Sequence, residues 1–390
     1  MPLKAEVRVH RRIEEIGRAD WDACNAREEY GANPFTSYDF LDAMEASGCV
    51  APGLGWAPQH LSVHDAKGRV AGVMPLYLKS HSQGEYVFDH AWANAYQRAG
   101  GRYYPKLQCA VPFTPAAGPR LMAREGANIA EVEAHLLGGA LTLCEKMGAS
   151  SLHITFPREE EWRRLGEHGL LMRQDRQFHW TNPGYQTFDD FLAALSSGRR
   201  KTIRRERRLA QEGLEIEAVS GADLTEAHWD AFFGFYMDTG ARKWGRPYLS
   251  RRFFSLLGQR MAEKVLLVMA RREGRYIAGA LNLIGADALY GRNWGCVEDV
   301  PFLHFELCYY QAIEQAIRLK LGRVEAGAQG EHKLARGYLP VPVYSAHWIA
   351  DPALRDPIAH YLDQERPAVE EEIEALTEHY SPFRQEQGPG

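Results

Sequence analysis

The sequence lacks several features that mark common classes of protein. It has no apolar run close to the ~20 residues of a membrane-spanning helix, and residues 1–12 lack the apolar core of a signal peptide. Its six cysteines lie far apart without a Cys-x-x-Cys pair, and no His-Glu-x-x-His motif occurs. We therefore expect a cytoplasmic protein with reduced thiols, no transmembrane segment, no metal site and no cysteine nucleophile.

A large excess of one charge is also absent. The formal net charge of −5 excludes a protein that coats nucleic acid through its overall charge, so only a local basic patch could do so. The hydrophobic content of 45% and charged content of 25% are typical of a globular protein. Because 390 residues are too many for one ordinary core, we predict two domains, 1–185 and 186–390.

Hydrophobic periodicity predicts the same mixed α/β layout in both halves of the chain. Each half contains hairpin strands, then a long amphipathic helix, then a further strand. The predicted segments are strands 59–63, 70–78 and 151–156 with helix 128–147 in the first half, and strands 265–271, 277–284, 288–295 and 323–326 with helix 303–321 in the second. An internal duplication of one α/β unit explains both the layout and the length.

A basic segment links the predicted halves. Residues 188–212 are predicted as one helix. Seven cations crowd residues 199–208, where Glu206 is the only acid: Arg199, Arg200, Lys201, Arg204, Arg205, Arg207 and Arg208. Like charges at this spacing repel each other. Either acids elsewhere neutralise them, with Glu159–Glu161, Asp189 and Asp190 as candidates, or a phosphate-bearing ligand does. In the second reading Lys201, Arg204 and Arg205 bind substrate.

Residues 86–115 alternate polar and aromatic side chains without a clean helix or strand period. Such a mixture suits the wall of a pocket, where aromatic faces give contact area and polar groups fix orientation. The alternative is an aromatic loop that packs as a small satellite core. The residues that would bind substrate are Asp89, His90, Trp92, Tyr96 and Tyr104.

The segment from Gly327 to Gly337 carries the densest group of titratable side chains. Its three glycines predict places where the backbone turns or approaches another group closely. Between them lie Gln329, Glu331, His332, Lys333 and Arg336. The alternative reading is a polar turn between two core strands. Because loops concentrate function, we predict a site here. Further residues that could line it are Arg292, Asn293, Trp294, His304 and Glu306. For His304, a helix-capping role is the alternative.

Four local sequences resemble the bacterial FemAB-like family, associated with peptidoglycan biosynthesis or recognition. They begin at Asn33 (Asn-Pro-Phe-Thr-Ser), Phe88 (Phe-Asp-His-Ala-Trp-Ala-Asn-Ala-Tyr), Arg200 (Arg-Lys-Thr-Ile-Arg-Arg-Glu-Arg-Arg) and Glu325 (Glu-Ala-Gly-Ala-Gln-Gly-Glu-His-Lys). The resemblance implies two tandem GNAT-like (N-acetyltransferase-like) domains joined by the basic helix. It also implies acyl or aminoacyl transfer to an amine acceptor, a small molecule or a lipid-linked cell-envelope precursor such as a peptidoglycan precursor or an amino lipid.

The resemblance leaves the acyl donor open. Related Fem transferases use aminoacyl-tRNA and ordinary GNAT enzymes use acyl-CoA; acyl carrier protein is a third candidate, and no cofactor is expected to stay bound. GNAT enzymes hold the CoA pyrophosphate with a glycine-containing loop at the start of the central helix. The corresponding segment here, residues 294–306, lacks that glycine pair. Peripheral membrane contact is also open, as is a non-catalytic protein that binds an anionic envelope precursor.

Acyl transfer to an amine needs a base for the ammonium proton and donors for the tetrahedral oxyanion. Glu331 and His332 are the predicted catalytic bases, and histidine suits this step because it titrates near neutral pH. Lys333 and Arg336 are the predicted anion partners.

Overall fold

The computed structural model describes residues 6–243, 247–327 and 330–384, except for the side chains of residues 241–243 and 331. The chain forms two compact units. Unit 1 comprises Met1–Asp175 and Pro342–Glu370, and unit 2 comprises Arg176–Val341 and Glu371–Gly390. Unit 1 thus includes a segment from the C-terminal part of the sequence. The predicted domain boundary at residue 185 stays a prediction.

Unit 1 alternates helices with short strands. In chain order it contains β1 (Glu6–His10), α1 (Arg18–Asn25), α2 (Tyr38–Ala46), β2 (Trp56–Pro58), β3 (His60–His64), β4 (Val70–Met74), β5 (Leu76–Lys79), α3 (His90–Arg98), β6 (Lys106–Cys109), β7 (Met122–Ala123), α4 (Ile129–Lys146), β8 (Ser151–Thr155) and α5 (Glu159–Glu167). The strand β9 (Leu171–Thr181) then leads into unit 2.

Unit 2 begins with two helices and is otherwise built around one mixed sheet. It contains α6 (Phe188–Ala194), α7 (Ser197–Gln211), β10 (Glu215–Val219), α8 (Glu226–Lys243), α9 (Arg251–Met261), β11 (Val265–Arg272), β12 (Arg275–Ile284), β13 (Ala288–Cys296), α10 (Leu303–Phe305), a π-helix (Glu306–Tyr310), α11 (Gln311–Arg318) and β14 (Arg323–Glu325). The strand β15 (Leu339–Ile349) returns to unit 1, and α12 (Pro352–Tyr380) starts there and ends in unit 2.

Two groups of strands form the sheets of unit 1. One is antiparallel, in the order β1-β3-β4-β7, and the other runs β15-β8-β6-β5-β2, with β6 and β8 parallel. The predicted strand 70–78 is wrong because it ends at Met74: β4 pairs with β3, whereas β5 pairs with β2 and β6. Pro75 lies between them, and proline has no N–H with which to continue a ladder.

The two faces of the second sheet differ in chemistry. Its apolar face packs Leu107, Leu152 and Ile154 against Val132 and Leu136 of α4. The other face carries polar side chains that are nonetheless buried: Tyr77, Lys79, Lys106, Gln108, Ser151, His153, Thr155, Ser345 and His347. Because buried polar groups must be paired to be tolerated, this face depends on internal hydrogen bonds and ion pairs.

Lys106 is the centre of those pairs. Its Nζ donates to Glu85 Oε2 at 2.7 Å and Ser82 Oγ at 2.9 Å, and also to Asp89. Burial works against the ammonium, but the two carboxylates outweigh it and raise the pKa of Lys106 above its ordinary value. Burial also raises the pKa of Glu85 to about 7. We call Lys106, Glu85 and Asp89 the buried ionic network.

The sheet of unit 2 has the order β10-β11-β12-β13-β14-β9. All neighbours are antiparallel except β13 and β14. A core of apolar side chains, including Val268, Ala280, Leu289 and Val324, packs with Leu307 and the helical segments after it.

Two helical regions differ from the prediction. The predicted helix 188–212 is two helices, because Leu195 and Ser196 adopt extended backbone between α6 and α7. The Ser-Ser-Gly sequence that follows Leu195 favours a helix start over a helix interior. Residues 86–115, predicted to be irregular, contain α3, whose aromatic and polar side chains hid the helical period.

Three further properties concern the cysteines, the helices and groups of possible metal ligands. All six cysteines are free thiols, as predicted. Over the described ranges, no helix has both the length and the apolar character needed to cross a bilayer. In the same part of the chain, no three His, Cys, Asp or Glu side chains are grouped as ligands for a metal ion.

Candidate active site

The candidate site lies where the pairing of β13 with β14 stops in the sheet of unit 2. β13 and β14 pair over only three positions, from Ala288 with Arg323 to Tyr290 with Glu325. β13 then continues to Cys296 beside β12, whereas β14 ends. In the described residues the pairing of the two strands therefore stops after Tyr290, and we call this end of the ladder the strand divergence.

A β-bulge marks the same place in β13. Leu281 of β12 faces Asn293, but the next residue, Asn282, faces Gly291, so Arg292 is the extra residue. A bulge bends its strand and redirects the backbone and side chains around it. The predicted site residues Arg292, Asn293 and Trp294 thus lie at the strand divergence.

The loop that follows β14 approaches the site as a short 3-10 helix, Glu331–Arg336. Gly330 and Gly337 bound it with φ values of 119° and 93°, which side chains disfavour. A Cβ at Gly337 would also lie 2.8 Å from the Phe191 ring. The expectation that these glycines mark turns and close approaches is confirmed.

His332 lies in a cluster of aromatic rings. Its Nε2 is 2.9 Å from the Tyr309 hydroxyl, and its ring centroid is 5.6 Å from Phe305 and 6.3 Å from His304. His304 in turn contacts Trp294 at 5.2 Å. The structure therefore brings together three predicted site residues, Trp294, His304 and His332, from three separate segments.

The surroundings of His332 favour its neutral form. Partial desolvation by the neighbouring rings lowers the pKa of His332, and the positive charges of Arg336 and Lys333 lower it further. A neutral imidazole is the form that accepts a proton.

Arg336 holds the loop against α7. Its Nη2 donates to both carboxylate oxygens of Glu206 at 2.9 Å, and its guanidinium lies 3.5 Å from the Phe305 ring centroid. Tyr310 also donates to Glu206. Arg336 was predicted as an anion partner for the reaction, and in the structure its anion partner is Glu206.

Lys333 is buried next to the end of β14. Its Nζ donates to the Gly327 carbonyl at 2.8 Å, and burial lowers the pKa of Lys333 to about 8. An ammonium so placed is a candidate donor to a developing oxyanion near the strand divergence.

The structure places Glu306 inside unit 2. Its carboxylate is fully buried and accepts hydrogen bonds from Arg207, Gln211 and Gln311. This network neutralises Arg207, so one cation of the basic segment is explained by internal acids. Of the acids suggested from the sequence for the others, Asp189 lies 3.2 Å from Arg204 and both side chains are exposed.

The remaining predicted residues fall elsewhere. Lys201 and Arg205 are exposed on α7. Five belong to unit 1. Asp89 is in the buried ionic network, Trp92 packs on His347, and His90 is exposed. The Tyr96 hydroxyl donates to Asp351, and the Tyr104 hydroxyl is hydrogen-bonded to Ser82. Gln329 and the Glu331 side chain lie outside the described residues.

Glu325 is a candidate that the sequence reasoning missed. It is buried at the last position of β14, level with Tyr290 on one side and His179 on the other. Arg323 Nε donates to its Oε1 at 3.0 Å, and its Oε2 accepts no hydrogen bond from the described residues. The sign in the sequence was an acidic residue inside the predicted strand 323–326, because acids are rarely buried in a sheet unless they are paired.

Replacement of Glu206 by glutamine tests whether the ion pair holds the loop. It leaves the buried charge of Arg336 uncompensated, so we expect the free energy of unfolding to fall by about 3 kcal/mol. Urea titration measures the loss. Glu212→Gln, at the exposed end of the same helix, is the matched control and should change stability by less than about 0.5 kcal/mol. Equal losses in both variants would contradict the role of the pair.

The sheets and the strand divergence define a protein of mixed α/β class with two tandem GNAT-like units, as predicted. The chain belongs to the FemAB-like family, described as peptidoglycan biosynthesis/recognition, whose sequence profile matches residues 12–385.

Solved structures share this fold. The structure of FemX matches with a TM-score of 0.54 at 12% identity, covering 91% of this chain and 100% of FemX. A conserved protein of unknown function from Bacteroides thetaiotaomicron matches with 0.52 at 10%, covering 89% and 100%. L-PGS from Bacillus licheniformis matches with 0.51 at 10%, covering 88% and 96%. No curated protein matches the sequence.

Proposed function

We propose that the chain is an N-acyltransferase that moves an acyl or aminoacyl group to an amine on a cell-envelope precursor or an amino lipid. The observation that carries the proposal is the His332 cluster beside the strand divergence. Membership in a family described as peptidoglycan biosynthesis/recognition supports the acceptor class. We place the protein in the cytoplasm, where each candidate donor is made.

The chemistry assigns a role to each group near the divergence. The acceptor nitrogen attacks the donor carbonyl, and His332 takes the proton that the nitrogen loses. The protonated Nε2 of His332 donates to the Tyr309 hydroxyl oxygen, which holds the imidazole and leaves Nδ1 to take that proton. Lys333 stabilises the oxyanion. The intermediate then collapses: the C–N bond remains, the bond to the sulfur or oxygen of the donor breaks, and the leaving group takes up the proton.

Three donors are compatible with this scheme: acyl-CoA, acyl carrier protein and aminoacyl-tRNA. The test is to incubate the purified chain with each donor and with amine acceptors, including an amino lipid and a peptidoglycan precursor. Mass spectrometry of the acceptor should show the acyl or aminoacyl mass added from one donor class. If none of the three reacts while the precursor still binds, the protein is a non-catalytic binder and the proposal fails.

The pH dependence of turnover identifies the base. Because the pKa of His332 lies below its ordinary value of about 6.5, the imidazole loses its proton as pH rises through that lowered pKa. We expect the rate to rise with pH below that point, to be level near pH 7, and to fall above about pH 8, where Lys333 loses the charge with which it stabilises the oxyanion. A rate measured at saturating substrate checks this. A rate that instead rises through about pH 8 would assign the base to Lys333, whose pKa is about 8.

A further inference from the structure

The exposed side of α7 is a continuous cationic surface. With 3.6 residues per turn, Lys201, Arg204, Arg205 and Arg208 fall within an arc of about 100°, and all four are exposed. Ile203 and Ala210 lie on the opposite side of the helix and are buried in unit 2. We call these four residues the basic arc.

The fold leaves the charge of the arc largely uncompensated. Arg204 has one acid partner, Asp189, and that pair is so exposed that it contributes little. Within the described ranges, no carboxylate lies at ion-pair distance from Lys201, Arg205 or Arg208. In contrast, the inward-facing Arg207 is paired with both Glu306 and Glu314. The helix thus neutralises its inward-facing Arg207 and exposes the four cations of the basic arc to solvent.

This arrangement is costly unless a ligand with several negative charges binds it. Arginines and lysine spaced one turn apart repel one another. The chain as a whole carries a net charge of −5, so the arc stands out as a local reversal of sign. Such a cluster on one helix face matches the polybasic segments that bind anionic lipid headgroups.

We propose that the basic arc docks the protein on the surface of an anionic phospholipid bilayer. The arc contains no aromatic side chain, whereas single-stranded RNA sites stack bases on aromatic rings. The major groove of double-stranded RNA is too deep and narrow for side chains to read. A straight, convex row of cations instead fits a plane of headgroup phosphates.

The docking surface is connected to the candidate site. Glu206, on the inward side of α7, pairs with Arg336 of the site loop. A bilayer bound to the arc would therefore lie about one helix diameter, ~10 Å, from that loop. The docking itself does not depend on transfer activity, so its test and that of the proposed function can fail separately.

Vesicle binding tests the inference with the full chain. Sedimentation uses vesicles of phosphatidylcholine with about 30% phosphatidylglycerol, and vesicles of phosphatidylcholine alone. We expect binding to the anionic vesicles only, weakened by about 0.5 M NaCl because salt screens charge. Combined replacement of Lys201, Arg204, Arg205 and Arg208 by glutamine should reduce the affinity at least about tenfold.

The matched control removes four exposed cations from unit 1: Arg11, Lys67, Arg98 and Lys146. Both variants carry a net charge of −9, four less than the −5 of the natural sequence. The control should keep its affinity within about twofold. Equal loss in both variants, or no binding by the natural sequence, overturns the proposal. The proposal also fails if the natural sequence binds tRNA but not vesicles and only the arc variant loses tRNA binding, because the arc would then be an RNA-binding surface.

Discussion

Replacement of His332 by alanine is expected to lower turnover by about 100-fold or more, the size of effect that loss of a general base produces. The imidazole sits among Phe305, Tyr309 and His304 but is itself exposed, so its removal leaves no buried cavity. The melting temperature should therefore stay unchanged. Steady-state kinetics with the donor identified by mass spectrometry give the ratio of rates.

Matched variants separate catalysis from general damage. His360→Ala removes an exposed histidine of α12 and should keep full turnover. Tyr309→Phe keeps the ring but removes the hydrogen bond to His332, and a loss of up to about 10-fold is expected. Glu331→Gln is expected to lose about 100-fold, since Glu331 is the second predicted base. Near-normal turnover in both His332→Ala and Glu331→Gln would exclude the loop from the mechanism.

The second large effect is on stability. Among the described residues, Lys106 is the one cation at ion-pair distance from both Glu85 and Asp89, so its replacement by methionine leaves these buried carboxylates with only the more distant Lys79 and His153. Loss of one partner from a buried ion pair costs about 3–5 kcal/mol. We expect the free energy of unfolding in urea to fall by that amount.

Two further variants identify the cause of that loss. Lys146→Met, at the exposed end of α4, should change stability by less than about 0.5 kcal/mol. Adding Glu85→Gln and Asp89→Asn to Lys106→Met should restore part of the stability, because both stranded carboxylates are then gone. Lys79, which pairs with Glu85 at 3.7 Å, loses its charge readily since burial lowers its pKa to about 7. A loss below about 1 kcal/mol for Lys106→Met alone, or no recovery in the triple variant, would contradict an ionic role for the network.

The sequence predicted the regular elements better than their interruptions. Long segments with a clear apolar period, such as helix 128–147, correspond closely to α4. The break at Pro75 was missed because residues 70–78 stay apolar on both sides of the proline. Local sequence also does not show which sheet a strand joins, since that choice depends on partners far along the chain.

In the candidate site too, features set by local sequence were predicted, and contacts between distant residues were not. Residue types and glycines were enough to select the loop 327–337, and Trp294 and His304 were chosen for their positions at a strand and a helix terminus. The pairing of Arg336 with Glu206, 130 residues away, could not be predicted because nothing local encodes it. Glu325 was missed for a related reason: its position at the end of a three-residue pairing becomes visible only in the sheet.

The proposed roles of His332 and Lys333 require the donor carbonyl to bind at the strand divergence of unit 2, and hydrogen exchange tests this most directly. The chain is compared alone and with the spent form of each donor: CoA, holo acyl carrier protein and uncharged tRNA. The form that corresponds to the active donor should slow exchange of the backbone amides in residues 291–296 and 330–337. Protection confined to other segments by that same donor, with these two unchanged, would contradict the claim.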